Sequence, residues 1–222
     1  MQSAPPPFVF PREYSFPPFF TRQTNLTTHH AQLVKWASLV LTYCRHHRIF
    51  KLSLSGQPPV PTPQATPTTT TTTTTANLDI TTPTTTTSSS SSSSDELFHN
   101  RKLNRRLSLA DAREVIDFLR KDGRAEYVAG GGSSSSKDSG DVAWIYWRTP
   151  EEWAALIEAW VDETGQKGSV LTLYELTQGD ATRGAEFHGL DPELLQKALG
   201  TLVKRQKAQI FGHEDSQGVK FF

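Results

Sequence analysis

Apolar residues recur at helical spacing in the first part of this chain and predict two helices. One apolar stripe extends over three turns between Leu33 and Cys44, and Thr27 or Thr28 can cap the start of this helix. Ser108 opens the second helix, and Gly123 lies just past its end. The apolar face of the second helix is predicted to consist of Leu109, Ala112, Val115, Ile116 and Leu119.

Shorter apolar runs around these helices predict strands and one further helix. Phe50–Leu54 alternates between apolar and polar residues, which is typical of a short strand. Asp95–Asn100 contains two adjacent apolar residues and predicts a short helix. Ala125–Val128 and Val142–Trp147 predict a pair of strands, and the loop between them contains the flexible stretch Gly130–Ser136.

The second part of the chain repeats this order with clearer helix starts. Thr149–Glu152 combines a threonine N-cap, a proline at the first helical position and a glutamate that completes a capping box. Thr172–Glu175 is a second capping box, and Asp191 precedes a third helix that begins with proline. Strands are predicted at Ala208–Phe211 and Val219–Phe222. The stripes of the two longer helices are Trp153, Leu156, Ile157, Trp160 and Val161, and Leu194, Leu195, Ala198, Leu199 and Leu202.

Both parts follow one order: helix, strand, short helix, longer helix and two-stranded hairpin. This order is that of a winged helix, a helix-turn-helix with a β wing. We therefore predict an α+β protein with two tandem winged-helix domains, residues 28–148 and 149–222, behind an N-terminal segment, residues 1–27. Residues 57–94 are almost entirely Pro, Thr and Ser and have almost nothing apolar to bury, so we predict that they form a disordered insertion in the first domain.

Charge distribution argues against a phosphate-binding role for the second domain. The chain as a whole has a formal net charge of zero, but residues 149–222 contain twelve acidic and seven basic residues. This net negative charge is unfavourable for binding a phosphate backbone.

Cys44 is the single cysteine, so an intrachain disulfide is excluded. The apolar runs are too short for a membrane span, and the N-terminus lacks the features of a signal peptide.

The motifs of catalysis, cofactor binding and metal binding are missing from the sequence, so no residue is assigned to any of these roles. The pairs His29–His30 and His46–His47 are adjacent, and neighbours on a helix point about 100° apart, so we expect solvated or helix-end histidines. Cys44 lies on an apolar stripe and is expected in the core. The capping box accounts for Glu152, so a catalytic carboxylate pair with Glu151 is not predicted.

Two basic clusters raise nucleic-acid binding as the alternative function, since many winged helices bind DNA. A solvated helix face explains both clusters more simply, and one of them shares its domain with the twelve acidic residues. The clusters are Arg101, Lys102, Arg105 and Arg106, and Lys197, Lys204, Arg205 and Lys207.

The N-terminal segment contains two Pro-Pro-x-Phe motifs, Pro5–Phe8 and Pro17–Phe20, with further aromatic residues between them. Proline holds the backbone extended at low entropic cost and leaves neighbouring rings projecting. Rings so near a chain end can pack back onto the first domain or fill a pocket of a partner. The residues alone leave both possibilities open.

These motifs resemble those of the family of small subunits of the ESCRT-II endosomal sorting complex. The likeness covers nearly the whole chain except the Thr/Ser insertion and the Gly/Ser loop. The motifs occur in the same order as in the family and at comparable spacing. It rests on the runs Tyr14–Thr21, Trp36–Cys44, Trp147–Arg148, Pro150–Trp153, Leu173–Leu176, Glu186–Asp191 and Gly218–Phe222.

The resemblance implies two tandem winged helices without catalytic activity or cofactor, in a cytoplasmic protein that is recruited to endosomal membranes. Two copies would join one copy each of two larger subunits, without binding nucleic acid or inserting into the membrane. The C-terminal domain would recruit an ESCRT-III subunit during cargo sorting into multivesicular bodies, and its net charge makes Glu186 and Asp191 our candidate contacts with a basic partner segment. The expected contacts with the larger subunits are Pro5, Pro6, Phe8, Pro17, Pro18, Phe19 and Phe20.

Overall fold

Each half of the chain folds a three-stranded antiparallel sheet against its helices. The computed structural model describes residues 6–54, 93–128, 141–212 and 217–222. The strand order is equivalent in both sheets. The second strand of the C-terminal hairpin of each half lies in the middle, and its neighbours are the first strand of that hairpin and the strand that follows the first long helix of that half. The chain therefore contains two winged helices of equal topology, as the sequence predicted.

The first winged helix is preceded by two 3-10 turns, Arg12–Ser15 and Pro17–Phe20. Its elements are α1 (Leu26–His47), β1 (Lys51–Ser53), α2 (Ser93–Phe98), β2 (His99–Asn100), β3 (Arg105–Arg106), α3 (Leu109–Lys121), β4 (Ala125–Tyr127) and β5 (Val142–Ile145). The two-residue strands β2 and β3 form a hairpin between α2 and α3, which the sequence did not predict.

In the second winged helix, the strand that the common order predicts before the short helix, without giving its bounds, is β6, which pairs with β8. Its elements are α4 (Pro150–Glu163), β6 (Val170–Thr172), α5 (Leu173–Gln178), a 3-10 turn (Asp180–Thr182), α6 (Pro192–Lys204), β7 (Ala208–Phe211) and β8 (Gly218–Phe221).

Four predicted helix starts are confirmed by their hydrogen bonds. Ser108 accepts from the backbone N–H of Asp111, and Asp191 accepts from that of Glu193. Thr149 and Thr172 each form a complete capping box, in which the glutamate three residues later reaches back to the threonine N–H. Local sequence therefore determines where these helices begin.

Two details of the sequence interpretation are wrong. The side chain of Asn25, not of Thr27 or Thr28, caps α1, because its oxygen accepts from the backbone N–H of both threonines. Leu109 is 39 % exposed rather than part of the buried face of α3; it is the first residue of this helix, and the buried face begins at Ala112.

The predicted insertion and the Gly/Ser loop lie largely outside the described residues. The structure resumes at Ser93, where α2 begins, so the last two residues of the predicted insertion belong to this helix. The domain boundary proposed at residues 148 and 149 falls between β5 and α4.

β5 lies between two hydrophobic cores, and this position holds the two winged helices together. Ala143 and Ile145 belong to the core of the first winged helix, whereas Trp144, on the opposite face, and Tyr146, directly after the strand, belong to the core of the second. Successive side chains of a strand point to opposite faces. The run is therefore apolar throughout because both of its faces are covered.

Among the described residues, no helix is long and apolar enough to cross a membrane.

Candidate partner-binding surfaces

The N-terminal segment is folded against the first winged helix by specific hydrogen bonds. The Tyr14 hydroxyl donates to the backbone carbonyl of Glu96 at 2.6 Å, and the Asn100 amide donates to the carbonyl of Tyr14 at 2.7 Å. Burial raises the pKa of Tyr14 above its usual value, so this hydroxyl remains a donor at neutral pH. The Trp36 indole N–H donates to the carbonyl of Phe19 at 2.9 Å.

The second Pro-Pro-x-Phe motif divides into a buried and an exposed part. Phe19 and Phe20 are 6 % and 5 % exposed, and the Phe19 ring stacks on Trp36 with centroids 4.4 Å apart. Pro17 and Pro18 are exposed. Of the two possibilities that the sequence left open, packing onto the first domain is the one found for both phenylalanine rings, and whether they also contact a larger subunit stays a prediction.

Phe16 is an exposed aromatic residue that the sequence reasoning missed. It is 60 % exposed and lies directly before Pro17, so Phe16, Pro17 and Pro18 form a continuous apolar step on the surface. Proline at the first position of the 3-10 turn is the sequence feature that could have located it, because the residue before such a proline stays extended. We call residues 16–18 the Phe16–Pro18 step.

The first motif lies along the last turn of α1. Pro5 is outside the described residues, and Pro6 is exposed. The Phe8 ring is half-buried and contacts Tyr43 edge-to-face at 5.1 Å. His46 Nε2 donates to the carbonyl of Pro6 at 2.8 Å, since a carbonyl can only accept. Phe8 therefore remains partly available to a partner.

The histidines and the cysteine have structural contacts. His29 and His46 are less solvated than expected: His29 Nε2 lies 3.0 Å from Glu114, and both rings are partly buried. Cys44 is fully buried, as predicted, and burial raises the pKa of its thiol. Among the described residues, no group of three or more His, Cys, Asp or Glu side chains could hold a metal ion.

The predicted ESCRT-III contact Glu186 pairs with the protein's own arginines. The Arg148 guanidinium donates to both carboxylate oxygens of Glu186, at 3.0 and 2.6 Å, and Arg45 of α1 lies 3.6 Å from the same carboxylate. The hydrogen bond from Arg148 holds the pKa of Glu186 below its usual value. Arg48 donates to the backbone carbonyl of the same residue. Glu186 thus faces the first winged helix.

Asp191 is the N-cap of α6 and also lies near β1 of the first winged helix. Lys51 Nζ is 3.8 Å from the Asp191 carboxylate and 2.8 Å from that of Glu193. The sequence did not single out Lys51 as an interface residue, because its partners lie some 140 residues away in the chain. Both predicted acidic contacts thus have intrachain roles, and whether they also meet a partner stays a prediction.

A second ion pair joins α6 to the first sheet. Lys197 Nζ donates to Glu126 at 2.6 Å and to the Tyr146 hydroxyl at 2.8 Å, and it lies 5.4 Å from the centre of the Trp144 ring. The hydrogen bond from Lys197 lowers the pKa of Glu126. Lys197 is therefore an interface residue rather than part of an open basic face.

Glu152 has a larger role than the capping box assigned to it. Besides accepting the Thr149 N–H, its carboxylate accepts two hydrogen bonds from Arg124, at 2.9 and 3.2 Å. Arg124 precedes β4, so this pair also connects the first winged helix to α4.

Two winged helices that share the strand β5, preceded by a folded proline-aromatic segment, define a tandem winged-helix protein. Residues 13–191 match the model of the ESCRT-II complex subunit family. The chain belongs to this family.

Relatives and solved structures match over nearly the whole chain. Vacuolar protein-sorting-associated protein 25 of Xenopus laevis is 36 % identical over 97 % of this chain and 99 % of the relative. The human protein of that name is 38 % identical over 97 % and 98 %. The crystal structure of subunit VPS25 of the endosomal trafficking complex ESCRT-II matches with a TM-score of 0.70 and 25 % identity over 96 % of this chain and 98 % of that chain. A chain of the ESCRT-II crystal structure, which contains VPS22, VPS25 and VPS36, matches with a TM-score of 0.69 and 27 % identity over 95 % and 98 %.

Proposed function

We propose that this chain is a non-enzymatic ESCRT-II subunit that joins the two larger subunits to an ESCRT-III subunit during cargo sorting into multivesicular bodies. It works in the cytoplasm, on endosomal membranes to which the complex is recruited, with two copies in each complex. The partners in the matching complex are VPS22 and VPS36, so we infer that the larger partners of this chain are of those kinds.

The observation that carries the proposal is the Phe16–Pro18 step. An apolar surface built from two prolines and an exposed ring, held on a rigid core, suits a pocket of another protein because little conformational entropy is lost on docking. The buried Phe19 and Phe20 fix the step in place. In the first motif, Pro6 and Phe8, which lie beside the last turn of α1, make the contact with a larger subunit.

Replacing Phe16 with alanine tests this proposal. Burying a phenylalanine ring contributes roughly 1.5–3 kcal/mol, so Phe16→Ala should weaken binding to the VPS22–VPS36 pair by about one to two decades. The ring is exposed, so the melting temperature should stay unchanged. Titration calorimetry with the purified pair measures the effect.

Leu26→Ala is the matched control, because Leu26 is 84 % exposed on the same winged helix and lies outside both motifs. An equal loss of affinity in both variants, or no loss with Phe16→Ala, would contradict a docking role for the step.

The second winged helix is the proposed contact for a basic segment of an ESCRT-III subunit, because residues 149–222 are net acidic. Attraction between opposite charges speeds association and weakens with salt. Glu186→Lys in the full chain should therefore slow association with the ESCRT-III subunit.

A charge swap separates direct contact from an effect through the interface. Arg148→Glu combined with Glu186→Arg restores the ion pair between positions 148 and 186, though not the weaker one with Arg45, and removes the carboxylate from position 186. If Glu186 meets the partner directly, the swap should bind as slowly as Glu186→Lys. Recovery of wild-type association in the swap would mean that Glu186 only positions the two winged helices.

A further inference from the structure

A serine at the start of α3 lies in a sequence pattern that the proposed function does not use. Ser108 comes three residues after Arg105 and two after Arg106, and Leu109 follows it directly. Nowhere else in the sequence does a serine or threonine follow two adjacent arginines at this spacing. Basophilic protein kinases bind arginines at these two positions through carboxylates of their own and favour an apolar residue directly after the serine. The pattern therefore indicates a phosphorylation site.

The fold exposes the residues of this pattern that a kinase would bind. Arg105, Arg106 and Ser108 are exposed, and Leu109 is 39 % exposed. Leu107, directly before the serine, is buried in the core of the first winged helix. The basophilic pattern leaves that position unspecified. The one buried side chain of the run is thus the one that recognition does not need.

The backbone before Ser108 already has the extended form in which kinases bind their substrates. β3 ends at Arg106, and Ser108, the N-cap of α3, has φ of −65° and ψ of 151°. Successive side chains of an extended chain point in opposite directions, so Arg106 and Ser108 face outward while Leu107 faces the core. Only the first turn of α3 has to open to bring Leu109 into line, and helix ends open at little cost in free energy.

Both arginines of the pattern are available to a kinase. Arg105 has no ion-pair partner among residues 6–54, 93–128, 141–212 and 217–222. Arg106 Nη1 lies 3.3 Å from the Asp95 carboxylate, and the arginine side chain is exposed. An ion pair of this kind contributes little to stability, so Arg106 can exchange Asp95 for a carboxylate of the kinase.

We propose that Ser108 is a phosphorylation site for a basophilic serine/threonine kinase, and that this modification and the docking of the larger ESCRT-II subunits exclude each other. Ser108 Oγ attacks the γ-phosphorus of ATP, and the Oγ–P bond forms as the bond to the β-phosphate oxygen breaks. The hydroxyl proton passes to the catalytic aspartate of the kinase, and ADP leaves. The exclusion rests on the proposed function of the Phe16–Pro18 step.

The position of Ser108 beside the step is the first reason for the exclusion. β3 packs against the 3-10 turn that contains Pro17 and Pro18, and Ser108 is the second residue after this strand. A kinase has to cover Arg105 and Arg106 of the same strand to reach the serine. A larger subunit seated on the step would therefore occupy the space that the kinase needs.

A shared carboxylate is the second reason. The Ser108 hydroxyl donates to Oδ2 of Asp111 at 2.5 Å, and Arg22 Nη1 donates to Oδ1 of the same carboxylate at 3.4 Å. A phosphoryl group carries a charge of about −1.5 to −2 and would repel Asp111 and attract Arg22. Arg22 belongs to the N-terminal segment that carries the step, so phosphorylation would displace the docking surface itself.

Incubation of the full-length chain with ATP and the catalytic subunit of cyclic-AMP-dependent protein kinase, a basophilic enzyme, tests the site. Mass spectrometry should locate a phosphoryl group on Ser108. Arg105→Gln with Arg106→Gln should lower the rate about tenfold or more, because two guanidinium–carboxylate contacts are lost. Arg101→Gln with Lys102→Gln is the matched control, since it removes the same charge from the same hairpin at positions that the pattern does not use.

Two results would overturn the assignment of the site. Modification of a peptide of residues 103–111 without modification of Ser108 in the folded chain would mean that the fold hides the serine. An equal fall in rate in the two double variants would mean that overall charge, and not the pattern before Ser108, determines the reaction.

The exclusion is tested with the VPS22–VPS36 pair. A saturating amount of the pair should protect Ser108 from the kinase, and the phosphorylated chain should bind the pair about tenfold or more weakly than the unmodified chain. Ser108→Asn is the control, because asparagine caps a helix about as well as serine and has no hydroxyl to modify. Kinase-treated Ser108→Asn should bind like untreated wild type.

Equal affinity of the phosphorylated and unmodified chains, with the unmodified chain binding the pair, would overturn the exclusion and leave the proposed function intact. Failure of the unmodified chain to bind the pair would instead refute the proposed function, whereas the kinase measurements on the chain alone would still decide the site.

Discussion

Phe20→Ala is expected to destabilise the first winged helix severely, and any loss of binding should follow from unfolding. The Phe20 ring is 5 % exposed and meets the rings of Tyr14 and Trp36 edge-to-face, at 5.2 and 5.4 Å. Truncating a buried phenylalanine costs about 3–5 kcal/mol because it removes buried apolar surface and leaves a cavity. That cost is a large part of the roughly 5–15 kcal/mol by which a typical domain is stable.

Urea unfolding followed by tryptophan fluorescence measures this effect, since Trp36 contacts the ring. Phe16→Ala, four residues earlier in the same segment, should change the free energy of unfolding by less than about 0.5 kcal/mol because its ring is exposed. A stable Phe20→Ala variant that has lost partner binding would show that Phe20 is a partner anchor and that its packing in the core contributes little.

Trp144→Ala is expected to uncouple the two winged helices. Trp144 belongs to the first sheet but is buried in the second core, only 3 % exposed. The ammonium groups of Lys51 and Lys197 lie 4.4 and 5.4 Å from the centre of its ring. Alanine would remove buried area worth about 3–5 kcal/mol and both cation–π contacts.

Differential scanning calorimetry detects the loss of coupling. Wild type should unfold in one transition in which the calorimetric and van't Hoff enthalpies agree, whereas Trp144→Ala should unfold in two. Tyr174→Ala is the control, since Tyr174 is 72 % exposed on the second winged helix and its truncation should leave the single transition. Two transitions in wild type would contradict a joint unit built on β5.

The local sequence determined the elements of this protein and their order. A capping box at Thr149 or Thr172 needs only residues within one helical turn, so its hydrogen bonds could be predicted and are present. The cap hydrogen bond of Ser108 could be predicted for the same reason. The apolar stripes of α3 and α6 are also short-range signals, because their residues repeat every three or four positions. Two winged helices in tandem follow from these short-range signals.

Only the tertiary structure decided which aromatic and charged side chains are buried or paired, and which residues they contact. Phe16 and Phe20 lie four residues apart in one proline-aromatic run, yet of these two only Phe20 meets α1, because the 3-10 turn between them directs one ring inward and leaves the other outside. Glu186 and Lys197 looked like free surface charges, and their partners Arg148 and Glu126 lie 38 and 71 residues away. Such pairs form when the fold brings distant segments together, and their attraction depends on separation in space, which spacing along the chain does not reveal.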